Sequence, residues 1–204
     1  MAVEKVKLIL EPVRKMVKGE RCTIAYYLKP IADAQPDILQ REFPTLYKLY
    51  CDVMDLVRAK HPEVEAAFYP FASFAFNSGG KVVTLGHIDK ANFGLCLLIP
   101  FGNFDPKQAR LVLEELGVEI EVAPGVPVLF PSALYYHYNT ALESAGIRNS
   151  FVAWMGGSLV QWYALGGMAV RDLCKTRAKE YNSVAARAER VQLWLDMFPM
   201  DKTL

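Results

Sequence analysis

The chain has 204 residues, 52% of them hydrophobic and 12% aromatic, with 23 Lys and Arg against 22 Asp and Glu. This is the composition of a folded globule with a sizeable core, and it excludes a disordered tail. A net charge of +1 leaves no global basic field, so a nucleic-acid partner would have to be held by a local patch and by shape.

The first stretch, MAVEKVKLILEPVRK, has no long apolar core followed by a small-residue cleavage site, and Cys22, Cys51, Cys96 and Cys174 make no CxxC pair. Both features predict a reducing compartment, nucleus or cytoplasm. Residues 1–21 are locally basic, with six Lys or Arg against three Glu. The uncharged run Ala91 to Asn103 falls short of the roughly 20 apolar residues that a membrane-spanning helix needs.

After ADAQPD, Phe43, Leu46, Tyr47, Tyr50, Met54 and Val57 recur at helical spacing until KHPE, which predicts an amphipathic helix. Short segments rich in Val, Leu, Phe and Tyr follow at 68–76, 81–87, 93–99, 109–114, 118–122, 126–130, 134–138 and 147–155, parted by NSGG, FGNFDP, APGVP and ESAG. Short strands with such turns describe a sandwich or jelly roll, not a βαβ sheet. From Met168 to Phe198 a second helical stretch is expected, broken near YNS, and its residues 171–190 hold six Lys or Arg against three acids. A solvated helix face accounts for that excess as well as a phosphate-binding surface does. The expected fold is α+β, one domain over 1–204 with a helical part at 1–66, a β core at 67–163 and a helical part at 164–204.

Within VVTLGHIDKANFGLCLLIP, the strand expected at 81–87 ends on His87, and Asp89 lies two residues on. Either the pair marks a turn toward water or it is half of a metal site. If the strand continues through Asp89, alternation puts both side chains on one face. His61 reads as an exposed helix-end residue, whereas His137 sits in the apolar SALYYHYNT. A jelly roll can bring His87, Asp89 and His137 together as the two-histidine, one-carboxylate set that holds iron(II) with open positions for a bidentate co-substrate and O₂. Alone, His137 reads equally as a satisfied core histidine.

Arg148 is the only charge between Glu143 and Arg171, and it shares a strand face with Ser150. A guanidinium in an apolar strand needs an anion. The distal carboxylate of 2-oxoglutarate, with Ser150 adding a hydroxyl, is one candidate, and Glu143 or Glu119 is another. Tyr135, Tyr136, Tyr138, Phe76 and Phe93 are candidate walls of a substrate pocket or ordinary core. Asn77 and Asn92 are candidate contacts to co-substrate or substrate.

The segments FNSGGKVVTLGHIDKANFGLC, FGNFDP, LVLEELGVEIEVAPGVPVLFPSALYYHYNT, IRNSFVAW and GGSLVQW resemble the Tet/JBP-like iron(II)/2-oxoglutarate oxygenases, in particular the small versions of mushroom-type fungi. The match runs from about Ser73 to Leu165. It is carried by the HxD with Asn92, by Phe104-Asp105-Pro106, Pro124-Gly125 and Pro131-Ser132, and by His137 and Arg148-Asn149-Ser150-Phe151. The resemblance implies a double-stranded β-helix, iron ligation by His87, Asp89 and His137, and 2-oxoglutarate binding by Arg148. It also implies oxidation of the methyl group of a modified pyrimidine, chiefly 5-methylcytosine in DNA. The same chemistry on a small metabolite, or a cupin-like binding module without turnover, are the other expectations the residues leave open.

Overall fold

The computed structural model describes residues 36–64, 68–81, 83–143 and 146–198. The basic stretch 1–21 and Cys22 lie outside them.

Helix α1 spans Pro36–Glu42 and α2 spans Pro44–Lys60. Pro44 opens α2 where its missing N–H has no helical partner to lose. The expected periodicity turns Leu46, Tyr50, Val53, Met54 and Val57 inward, and the helix ends at His61, whose N–H donates to the Val57 carbonyl at 2.7 Å.

Two antiparallel sheets follow. Strands β1 (Ser73–Asn77), β7 (Ile147–Gly156), β2 (Asn92–Asn103) and β5 (Val128–Phe130) form one in that order, and β4 (Val118–Ile120), β3 (Leu111–Leu113) and β6 (His137–Asn139) form the other. The chain passes between sheets from β2 to β3, β4 to β5, β5 to β6 and β6 to β7, the winding of a double-stranded β-helix. The fold is α+β, as the strand and turn spacing predicts.

Alternation on β2 and β7 divides the core. Leu95, Leu97, Ile99 and Phe101 of β2 and Phe151, Ala153 and Met155 of β7 pack with Leu46, Tyr50, Val53 and Met54 of α2. On the opposite face, Cys96 and Leu98 of β2 join Leu111, Leu113 and Phe130 between the sheets, with Val152 and Trp154 packed against them. One face of the large sheet is thus sealed by helices, and the other is left for the cavity.

The β2–β7 register shifts between Phe93 and Leu97. Gly94 sits there with φ +66°, and a Cβ on it would lie 2.5 Å from the Tyr50 hydroxyl. That hydroxyl donates to the Phe93 carbonyl at 2.6 Å and accepts the Leu95 N–H at 3.0 Å. A tyrosine from α2 therefore satisfies backbone groups that the bulge withdraws from the ladder. Tyr50→Phe is expected to cost about 1–3 kcal/mol through these buried unsatisfied groups, read as a lower urea midpoint at unchanged slope.

Four expectations are corrected. The described residues of 81–87 form no strand: Lys81 and His87 make only isolated bridges, to Arg148 and His137. Side chains take over the backbone partners here, since Asn149 Oδ1 accepts the Gly79 and Gly80 N–H groups and Asn139 Oδ1 accepts that of Thr84. The segment expected as a strand over 68–76 begins with a turn and enters the sheet only at Ser73. The C-terminal helical stretch opens with a 3-10 turn at Val170–Asp172 and becomes α-helix only at Lys175: α4 covers Lys175–Tyr181 and α5 Val184–Leu195. Their break falls at YNS, where the Ser183 hydroxyl accepts the Ala186 N–H at 3.2 Å as a helix N-cap. Residues 157–163, inside the expected β core of 67–163, belong to helix α3, Gly157–Ala164. No helix of the described residues is long and apolar enough to cross a membrane.

Candidate metal centre

Between the sheets lies a cavity of about 400 Å³ lined by both. The register of β1 against β7 sets Asn77 opposite Ser150 and Ala75 opposite Val152, so one face of the pair carries Asn77, Arg148, Ser150, Val152 and Trp154 into it. The small sheet contributes Leu111, His137, Tyr138 and Asn139.

His87, Asp89 and His137 converge at one end, each offering a ligand atom within 4.8 Å of the others. They meet by a different route from the one alternation predicts, because His87 and Asp89 lie in irregular backbone. His87 is bridged to His137, and the Asp89 N–H donates to the Ser132 carbonyl at 3.0 Å. His87 Nε2 is 3.2 Å from Asp89 Oδ1, and His137 Nε2 is 3.8 Å from Asp89 Oδ2.

The other ring nitrogens complete the picture. His87 Nδ1 faces the Leu85 carbonyl at 2.8 Å and His137 Nδ1 the Tyr135 carbonyl at 2.9 Å. A carbonyl only accepts, so each Nδ1 carries a proton and donates it, and each ring turns its Nε2 toward Asp89. Burial lowers the pKa of His137 below the usual histidine value, which keeps that ring neutral at pH 7. Two imidazole nitrogens and a carboxylate facing one point call for positive charge among them. Backbone-anchored Nδ1–H groups with free Nε2 atoms are how metal-bound histidines are oriented. The donor set fits a divalent metal.

Asn92 belongs to this support. Its Nδ2 donates to Asp89 Oδ2 and to Ser132 Oγ, both at 3.1 Å. Ser132 is fully buried. Cys96 lines the same wall, its thiol pushed up to about 12 by burial and then by the Asp89 charge. Asn92→Ala is expected to weaken divalent-metal binding about 10–100-fold by freeing the carboxylate to rotate, measured by competition against a chromogenic chelator.

Arg148 is 3% exposed, and its Nε and Nη1 have no hydrogen-bond partner. Glu119, one of its candidate partners, pairs with Arg110 instead, and Glu143 is exposed. Burial lowers the Arg148 pKa from its usual value, yet a guanidinium stays charged in proteins. An unpaired buried cation lining a cavity calls for an anion there. Ser150 beside it accepts a hydrogen bond from Asn77 Nδ2 at 3.1 Å, which leaves the serine O–H free to point elsewhere.

The aromatic candidates separate. Tyr138 lines the cavity. Phe76 packs on Phe101 and Phe151 against the helix-side core, and Phe93 is part of the same packing. Tyr136 stands at the surface beside Gly86, where a Cβ would meet its ring at 2.3 Å. Tyr135 packs between the sheets. His61 is a half-exposed helix-end residue 3.4 Å from Glu63. Residue-by-residue reading missed Ser132, Leu98, Leu111, Val152 and Trp154 as lining or support. For Val152 and Trp154 the signal was available, because they continue the Arg148, Ser150 alternation.

No protein-family model matches the chain, and no curated protein matches it. Among solved structures it is similar to NgTET1 in complex with 5mC DNA, at 23% identity and a TM-score of 0.42 over 52% of this chain. It is also similar to the viral collagen prolyl hydroxylase vCPH from Paramecium Bursaria Chlorella virus-1 in its 2OG complex, at 10% identity and a TM-score of 0.33 over 51% of this chain. The matched regions cover 41% of the NgTET1 chain and 72% of the hydroxylase chain.

Proposed function

We propose that the chain is an Fe(II)- and 2-oxoglutarate-dependent dioxygenase that oxidises the methyl group of 5-methylcytosine in DNA. The observation that carries the oxygenase reading is the buried, unpartnered guanidinium of Arg148 lining the same cavity as the His87, Asp89 and His137 donor set. A metal site alone fits many roles, but a metal site sharing a cavity with an orphan cation fits a metal-chelating dicarboxylate. The choice of substrate rests on the sequence resemblance.

His87 Nε2, Asp89 and His137 Nε2 would hold the iron. When bound, iron and 2-oxoglutarate together supply the activation of O₂ that hydroxylates a C–H bond. The protein's part is positioning. Arg148 takes the distal carboxylate by paired N–H donors, and Ser150, fixed by Asn77, adds a hydroxyl. Neutral His137 has no proton to shed on metal binding. Leu98, Leu111, Val152 and Trp154 keep water from the reacting carbon, and Tyr138 offers a ring against which a flipped base stacks.

The test loads the full chain anaerobically with Fe(II) and 2-oxoglutarate, then admits oxygen with and without a 5-methylcytosine duplex. Oxidised base with matching succinate is the expected result. Succinate without base oxidation would sink the DNA substrate and leave a small-molecule oxygenase, and no succinate with any substrate would sink the oxygenase.

A further inference from the structure

A second concave surface adjoins the metal cavity. It is an open groove of about 740 Å³ lined by Lys90, Ala91, Tyr181, Arg187, Arg190 and Trp194, among others. Ala91 lines both it and the metal cavity, and Lys90 follows the ligand Asp89 directly. The groove therefore starts at the mouth of the reaction chamber.

Its charge is one-sided. Lys90, Arg187 and Arg190 make no ion pair among the described residues, and no acidic side chain lines the groove there. A merely solvated helix face mixes signs, and α5 does carry Glu189, but the groove does not include it. The Arg190 guanidinium carbon sits over the Tyr181 ring, 4.0 Å from its centroid, a cation–π contact that holds the cation at the groove. Trp194 supplies a partly exposed aromatic surface beside these cations. Cations that track a backbone, with an aromatic face for a base, are the recognition chemistry of a polynucleotide strand.

We propose that this groove grips a nucleic-acid strand by its phosphates through Lys90, Arg187 and Arg190, with Trp194 stacking on a base, so that a neighbouring nucleotide is delivered past Ala91 to the cavity. The identity of the reacting nucleotide rests on the function proposed above; the grip itself does not.

The experiment follows anisotropy of fluorescein-labelled single-stranded and duplex 5-methylcytosine oligonucleotides on the full chain between 50 and 200 mM salt. Arg187→Gln/Arg190→Gln is expected to weaken binding at least about tenfold and to lower the slope of log affinity against log salt by about two. Trp194→Ala should weaken single-strand binding about tenfold, and Arg187→Lys/Arg190→Lys should keep most of the wild-type salt slope. Wild-type affinity and slope in the glutamine double variant would overturn the proposal, as would competition by inorganic polyphosphate at equal affinity with Trp194→Ala unaffected. Succinate release is read on the same preparations. Succinate with no oligonucleotide binding overturns the groove alone, whereas binding with the expected slope and no succinate upholds the groove and overturns the oxygenase.

Discussion

Arg148→Met is expected to melt at a higher temperature than the wild-type protein and to lose 2-oxoglutarate. The two effects share one cause. Arg148 is 3% exposed with Nε and Nη1 unpartnered, so folding strips the hydration of these two nitrogens without a hydrogen bond in return. Methionine fills similar space without that cost, and replacing buried charge by well-packed apolar groups stabilises by about 1–4 kcal/mol in comparable settings. On the proposed function the co-substrate would lose Arg148, the one Lys or Arg among the described residues lining the cavity, which costs about 3 kcal/mol or more, over a hundredfold in affinity. Thermal unfolding and a 2-oxoglutarate titration in the presence of Mn(II) read the two effects separately. A variant that melts lower by a similar margin would mean that Arg148 serves the fold and has a partner there.

Asp89→Ala should abolish both metal retention and succinate formation. Asp89 is the one member of the donor set that faces both histidines, at 3.2 and 3.8 Å, and it also holds Asn92. Loss of a partner one sphere out costs about 10–100-fold in metal affinity, so loss of the carboxylate itself is expected to exceed about 100-fold. Titration with Co(II) followed by its visible spectrum, alongside succinate release, measures both. His61→Ala is the control: its ring is half exposed beside Glu63, and metal binding should be unchanged. Full metal affinity in Asp89→Ala would remove the metal assignment.

The parts of the fold that were legible in the sequence are those where one periodicity rules. The α2 stripe of Leu46, Tyr50, Met54 and Val57 and the alternation of β7 could be read directly, because each buries one face against a continuous core. The route to His87 could not. NSGGKVVTLG has the Val and Leu content of a strand, yet its backbone is held by the Asn149 and Asn139 side chains, long-range partners that local composition does not encode. Helix α3 was hidden for a similar reason: an eight-residue apolar segment is strand-like by composition, and only its packing beside α2 and β7 makes it helical. The donor residues were legible because His and Asp are rare in apolar segments. Their supports were not, since Ser132 and the Asn92 amide take their roles from geometry. The aromatic candidates divided because β1 turns Phe76 to one face and Asn77 to the other.

The asymmetric tethering of the two histidines has a further consequence, for the order of assembly. His137 belongs to a strand and pairs with Leu113 through the ladder, whereas His87 reaches it by a lone bridge at the end of irregular chain. Half of the site is thus built with the sheet, and the other half is an arm held by fewer bonds, at Thr84, His87 and Asp89, which opens locally at lower cost than the strand. An arriving ion would latch that arm, so measured metal affinity includes the work of closing it. Amide exchange at Thr84 to Asp89 should then slow on loading while exchange along β6 and β7 stays as it was, and the centre behaves as a clasp on one edge of an already finished barrel.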